Sequence, residues 1–390
     1  MRRADFKKVL TLILGAFSIT IASGFAPQSG INNDLPSGRN SANILSTSGK
    51  AAAQPIAFKN WGLFNTQAQS HIHAVDAWKI EEGSRNVVVA VIDTGIDATH
   101  HDLQKNIWQD PTSKTPIYGW NFVINQPNPK DDHGHGSHVA GIIGAITDAK
   151  TGVSGVAPHV SIMSVKYYSD TNSGAVNLAN TIKAINYAVD HGAKIINYSG
   201  GGPEFSEDEY LAIKKAEAKG VLFVAAAGNE HQDTDRVENY YYPSAYHLSN
   251  IISVAATDIH NNLLPSSNWG KKHVDVAAPG ENIFSTLPGG RYGYMSGTSQ
   301  ATAFVSGVAA LLLSRDPTLT PTQIREIIMS SVDRLPQLAQ KLTTGGRVNA
   351  YAALIALRNK ERFTARGGLL SRKPVSLLRE TSSPSPISVE

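Results

Sequence analysis

The chain has 390 residues, of which 41% are apolar and 17% charged, with a formal net charge of +3. That apolar content suits a packed globular protein rather than a disordered one, and no basic stripe interleaved with aromatics supports nucleic-acid binding. The absence of cysteine excludes disulfides, thiolate nucleophiles and Cys-based zinc sites.

Residues 1–26 read as a signal peptide. Arg2, Arg3, Lys7 and Lys8 precede an uncharged run from Val9 to Ala22, and Ala22, Gly24 and Ala26 offer small residues for cleavage. The run is short for a membrane span and suits a signal core. An uncleaved anchor or a short buried helix is the alternative. Export, to the periplasm or the medium, is the expectation, with membrane contact only if the segment is retained. Residues 27–57 are rich in Ser, Asn, Gly, Pro and Ala and read as a low-complexity linker or short pro-segment.

Across 58–357 the texture is that of one folded domain. The runs Val87–Ile92, Ala193–Asn197, Val221–Ala227, Ile251–Ala256 and Val274–Ala278 are apolar on both faces, as in buried parallel strands. Between them the pattern predicts helices over Ala175–Val189 and Ser206–Lys219. The second carries Ser206 and Glu209 at capping-box spacing and Gly220 just beyond its end. Further helices are predicted over Gln300–Leu313 and Pro321–Ser331, the latter begun by Thr320-Pro321. Strands alternating with helices give an α/β fold, a doubly wound, mostly parallel central sheet flanked by helices. Residues 358–390 carry seven Arg and Lys residues and then a Ser/Pro-rich end, and read as a basic, flexible tail.

Sites in such sheets lie beyond the carboxyl ends of the strands, and three segments meet that condition. Asp93 directly follows Val87–Ile92 and precedes a Gly turn. His135 lies in Asp131-Asp132-His133-Gly134-His135-Gly136-Ser137-His138, ahead of a helix of small residues. The three histidines lack the Glu of a metalloprotease helix, so a proton-shuttling role fits better than a metal. Ser299 follows Gly297-Thr298 at the start of a helix, where an isolated serine reads better as an N-cap.

Taken together, Asp93-Thr-Gly, His135-Gly-Ser-His-Val-Ala-Gly and Gly297-Thr-Ser299-Gln-Ala, in that order, resemble the subtilisin-like (subtilase, peptidase S8) serine proteases. The resemblance covers about residues 60–357. It implies a serine endopeptidase with Asp93, His135 and Ser299 as triad and Asn229 as oxyanion-hole side chain. It also implies two backbone edges, Ser173-Gly174-Ala175 and Ser199-Gly200-Gly201, that sandwich an extended peptide. Tyr241, before a Tyr242–Pro243 bond that the family makes cis, would narrow the first pocket. Protein or peptide substrates are the expected partners and a monomer the expected state. No cofactor is expected for catalysis, while Asp102 and Asp148 match ligands of a structural calcium site.

Several residues depart from the family pattern. Gln300 and Ala303 stand where Met and Pro are usual, and Ala149 replaces a calcium-loop oxygen donor. Only residues 27–57 stand where secreted relatives carry a folded inhibitory propeptide, so folding is expected to proceed without it or with one supplied by another protein. The competing function is a catalytically silent subtilase-like domain that binds peptides. All three triad positions and Asn229 are retained, which favours the enzyme.

Overall fold

The computed structural model describes residues 59–65, 69–146 and 153–370. In chain order the strands are β1 (Val88–Asp93), β2 (Gly119–Asn121), β3 (Gln126–Pro127), β4 (Ser161–Lys166), β5 (Ile195–Tyr198) and β6 (Leu222–Ala226). They continue with β7 (Ile251–Thr257), β8 (Val276–Pro279), β9 (Ile283–Leu287), β10 (Arg291–Met295), β11 (Asp333–Arg334) and β12 (Gly346–Arg347). The helices are α1 (Ala74–Trp78), α2 (His135–Gly144), α3 (Gly174–Asp190), α4 (Glu207–Ala218), α5 (Thr298–Arg315), α6 (Pro321–Ser330) and α7 (Ala350–Leu370).

One sheet runs β11-β12-β8-β7-β6-β5-β1-β4-β2-β3. It is parallel from β12 to β2 and closed at each edge by an antiparallel strand. From β1 the chain crosses to β4 and then returns to β5 on the other side, so the strand order reverses at β1. The crevice outside the carboxyl ends of β1 and β5 is where a doubly wound sheet opens a site.

Alternate side chains of the central strands feed two cores. Val89 and Val91 pack with α2 and α5, while Ala90 and Ile92 face the layer that holds Ala184, Ile185, Ala212 and Ile213 of α3 and α4. Helix α5 is buried from Thr298 to Leu313, which explains its apolar character all round. Small residues permit its close packing: a Cβ on Gly307 would come within 2.4 Å of the Val156 side chain.

The five strands expected from their apolar runs are present as β1, β5, β6, β7 and β8, with ends shifted by at most two residues. Strand β4 escaped that reading because Ser161, Ser164 and Lys166 interrupt its apolar pattern. Its Lys166 is buried and reaches the exposed Asp132 carboxylate at 2.5 Å. Helix α6 begins with a complete capping box between Thr320 and Gln323, and Pro321 occupies its first turn. The box expected at α4 is only half formed. Ser206 accepts from the Glu209 N–H, but the Glu209 carboxylate turns inward to accept a hydrogen bond from the Tyr246 hydroxyl at 2.7 Å. Burial pushes that carboxyl up to about 7, against the opposing effect of the Tyr246 bond. At the C-terminal end Leu357 is the last buried side chain among those described, and the backbone of α7 continues as helix to Leu370, beyond the boundary expected there. The signal segment, the linker, Asp148 and residues 371–390 lie outside the described residues.

Candidate active site

Asp93 ends β1 at the topological switch and is only 2% exposed. Its Oδ1 accepts the Thr94 N–H at 2.7 Å and meets Nδ1 of His135 at 2.7 Å. Because Nδ1 must carry the proton to donate to a carboxylate, this contact fixes the neutral imidazole with Nε2 as the acceptor. His135 is the first residue of α2 and is 4% exposed, and its Nε2 has no hydrogen-bond partner among the described residues. Burial alone would lower the His135 pKa, but attraction to Asp93, the hydrogen bond to Asp93 and the nearby Asp131 outweigh it, so the net shift is upward.

A buried carboxylate holds the helix start that carries His135. Asp131 accepts from the Thr94 hydroxyl (2.9 Å) and from the N–H groups of His133 (3.0 Å), Gly134 (2.8 Å) and Ser137 (2.9 Å). The Thr94 hydroxyl in turn accepts the Gly136 N–H at 2.9 Å. Asp131 thus satisfies the free donors of the α2 terminus and complements its dipole. A Cβ on Gly136 would come within 2.1 Å of the Gly95 carbonyl, so only glycine lets α2 approach β1 this closely. Neither Asp131 nor Thr94 stood out in the sequence, because their roles depend on a contact between separate segments.

His138 serves a different purpose from His135. Its Nε2 reaches the carbonyls of Ile283 (2.9 Å) and Gly293 (3.2 Å), which pins the β9–β10 hairpin to α2. Burial and the neighbouring His135 depress its pKa to about 3, so it stays neutral.

Ser299 is 1% exposed and lies one residue inside α5, whose N-cap is Gly297 with φ 151° and ψ 173°. It is therefore not the N-cap serine that the sequence alone allowed. Its hydroxyl donates to the Ser199 carbonyl at 3.3 Å. Ser199 directly follows β5, which pairs with β1 in register Ile92↔Tyr198, so Ser199 stands beside Asp93 at the sheet rim. On the other side of β5, β6 leads into Gly228 and Asn229. The Asn229 Oδ1 accepts the Thr298 N–H at 3.0 Å, and this bond turns the amide so that Nδ2 is buried without a partner among the described residues. Such an orphaned donor is costly unless a ligand uses it.

The segment Ser199–Gly201 is irregular backbone beyond a strand end, and Gly202 bridges antiparallel to Tyr242. The second expected edge lies at the start of a helix. Ser173 has extended backbone and caps α3 by accepting the Val176 N–H, while Gly174 and Ala175 form the first helical turn. The Tyr242–Pro243 peptide is cis.

At the expected calcium position Asp102 is buried, and its Oδ2 already accepts the Val153 N–H (3.0 Å) and the Tyr292 hydroxyl (2.7 Å). Its neighbours His100 and His101 offer nitrogen, and these three residues form the only group among the described residues placed to share a metal. Calcium takes six to eight oxygen ligands, and the loop expected to supply the rest of them, with Asp148, lies outside the described residues.

These strand ends and helix starts match a known arrangement. The model of the subtilase family, peptidase S8, matches residues 84–352. The chain belongs to the subtilase family. It is 39% identical over 283 residues to thermitase of Thermoactinomyces vulgaris, covering 73% of this chain and 93% of that protein. It is 40% identical over 247 residues to the major intracellular serine protease of Bacillus subtilis strain 168, covering 62% and 73%. A solved protease structure from Pseudoalteromonas arctica PAMC 21717 superposes with a TM-score of 0.65 at 28% identity, covering 76% of this chain and 97% of that one. As a subtilase the chain is a serine-type endopeptidase that acts on protein substrates and needs no cofactor for catalysis. No helix among the described residues is long and apolar enough to cross a membrane.

Proposed function

We propose that Ser299 is the nucleophile of this endopeptidase, His135 its general base and acid, and Asp93 the group that orients and charges His135. The observation that carries the assignment is the buried Asp93–His135 pair at 2.7 Å, whose outer nitrogen is left unpartnered at the rim shared with Ser299. Rotation about χ1 would release the Ser299 hydroxyl from Ser199 and turn it toward Nε2. The hydroxyl oxygen then attacks the scissile carbonyl as its proton passes to Nε2. Asn229 Nδ2 and the Ser299 N–H, at the positive end of α5, receive the oxyanion. His135 next gives the proton to the leaving amine, and water repeats the sequence to release the acyl group. An extended substrate lies along Ser199–Gly201.

Labelling with a fluorophosphonate, in parallel with casein cleavage, tests this reading. Wild type is expected to label and cleave, and Ser299→Ala to do neither while keeping its melting temperature. A folded wild type that does neither would favour a peptide-binding role instead.

Two further points belong to this proposal. Residues 1–26 direct export, and N-terminal sequencing of exported protein should start beyond Ala22. The protein works as a monomer.

A further inference from the structure

The residue whose carbonyl is attacked must place its oxygen at Asn229 while its backbone follows Ser199–Gly201. Its side chain is thereby directed between two walls, the segment after β5 and the segment after β6. Each wall carries a glycine, Gly201 and Gly228, and two facing glycines would ordinarily leave a deep slot.

Here the slot is filled by an aromatic ring from a third segment. A Cβ placed on Gly201 would lie 2.4 Å from Cε1 of Tyr241, and one on Gly228 would lie 2.9 Å from Cε2 of the same ring. Opposite edges of one ring therefore abut both walls. Tyr241 is 7% exposed, and its backbone is fixed on both sides. The Tyr242 N–H donates to the Gly202 carbonyl at 2.8 Å and the Ala245 N–H to the Tyr241 carbonyl at 3.0 Å. Behind Gly228, Asn268 donates to the Glu230 carboxylate at 2.6 Å, which closes the far end. Packing this dense accommodates added volume only by displacing a fixed side chain.

We infer that Tyr241 is a specificity-determining residue that closes this slot, so that the enzyme cleaves after small residues (glycine, alanine or serine) and rejects aromatic and long side chains there. The inference rests on the proposed roles of Ser299 and Asn229.

Succinyl-peptide p-nitroanilides that differ only in the residue before the scissile bond, alanine or phenylalanine, test it. Wild type is expected to show at least tenfold higher kcat/KM for alanine. Tyr241→Ala should raise the phenylalanine-to-alanine ratio at least tenfold, and Tyr241→Phe, which keeps the ring, should preserve the small-residue preference. Equal or better hydrolysis of the phenylalanine substrate by wild type would overturn the inference, and this needs no variant to fold. So would a folded Tyr241→Ala protein with an unchanged ratio. Fluorophosphonate labelling separates the two layers. A wild type that labels at Ser299 but prefers phenylalanine refutes the closed slot alone, whereas one that neither labels nor hydrolyses either substrate refutes the catalytic assignment as well.

Discussion

Two helix starts meet at this rim, and they are finished in opposite ways. At α2 the free donors are consumed internally: Asp131 accepts from three backbone N–H groups and from Thr94, and Thr94 closes the loop to Gly136. At α5 the polar atoms are left open. Asn229 Nδ2, Thr298 Oγ1 and Gln300 Nε2 are all buried without partners among the described residues. The first arrangement locks an imidazole into one tautomer and one direction. The second keeps buried polar atoms unpaired among the described residues, and in a low-dielectric setting a developing negative charge benefits most from such donors. Stability is invested at α2, and binding capacity is reserved at α5.

Variants at the two ends should therefore fail differently. The largest effect is expected from Asp93→Asn, which leaves packing intact but removes the charge that sets the tautomer. A loss of about 10⁴ in kcat is expected. The acid limb of kcat/KM also carries a sign. Activity needs neutral His135, whose pKa lies above its ordinary value of 6.5, so the wild-type limb should fall above 6.5. Without the Asp93 anion burial prevails and the limb should move down. A limb that stays in place would separate Asp93 from the titration.

Next comes Asn229→Ala, expected to lose about 10²–10³ in kcat with KM little changed, and to change stability by no more than about 1 kcal/mol. Asp131→Ala should show the converse, a stability loss of about 3 kcal/mol in chemical denaturation, because several buried donors lose their acceptor together. If Asn229→Ala proves the less stable of the two, the contrast between the helix starts fails. The smallest difference concerns oxidation. Gln300 is buried beside Ser299, the proposed nucleophile, and offers no sulfur, so activity should survive mild peroxide, whereas Gln300→Met should lose activity as its thioether oxidises. Timed peroxide exposure followed by a casein assay compares them directly.

Sequence alone carried the frame of this molecule because its buried parallel strands are apolar on both faces. Strand β4 was hidden by Ser164 and Lys166, whose polar groups are satisfied only after folding, by the Pro129 carbonyl and by Asp132. Asp93, His135, Ser299 and Asn229 were legible since each sits at an element boundary within a recognisable motif. Ser173-Gly174-Ala175 proved to be a capped helix start, because Ser followed by Gly suits that as well as an extended loop. Asp131 acts through contacts across the fold, which no local pattern encodes. Asp102 matched a ligand position in sequence, and its Oδ2 accepts from Val153 and Tyr292, while the rest of the expected loop lies outside the described residues.

The most direct test of the central claim is the pH dependence of fluorophosphonate labelling at Ser299. The geometry predicts that the labelling rate rises through a single ionisation above pH 6.5 and is lost in His135→Ala. A rate independent of pH between 5 and 8, or one retained without the imidazole, would contradict the assignment of His135 as the base.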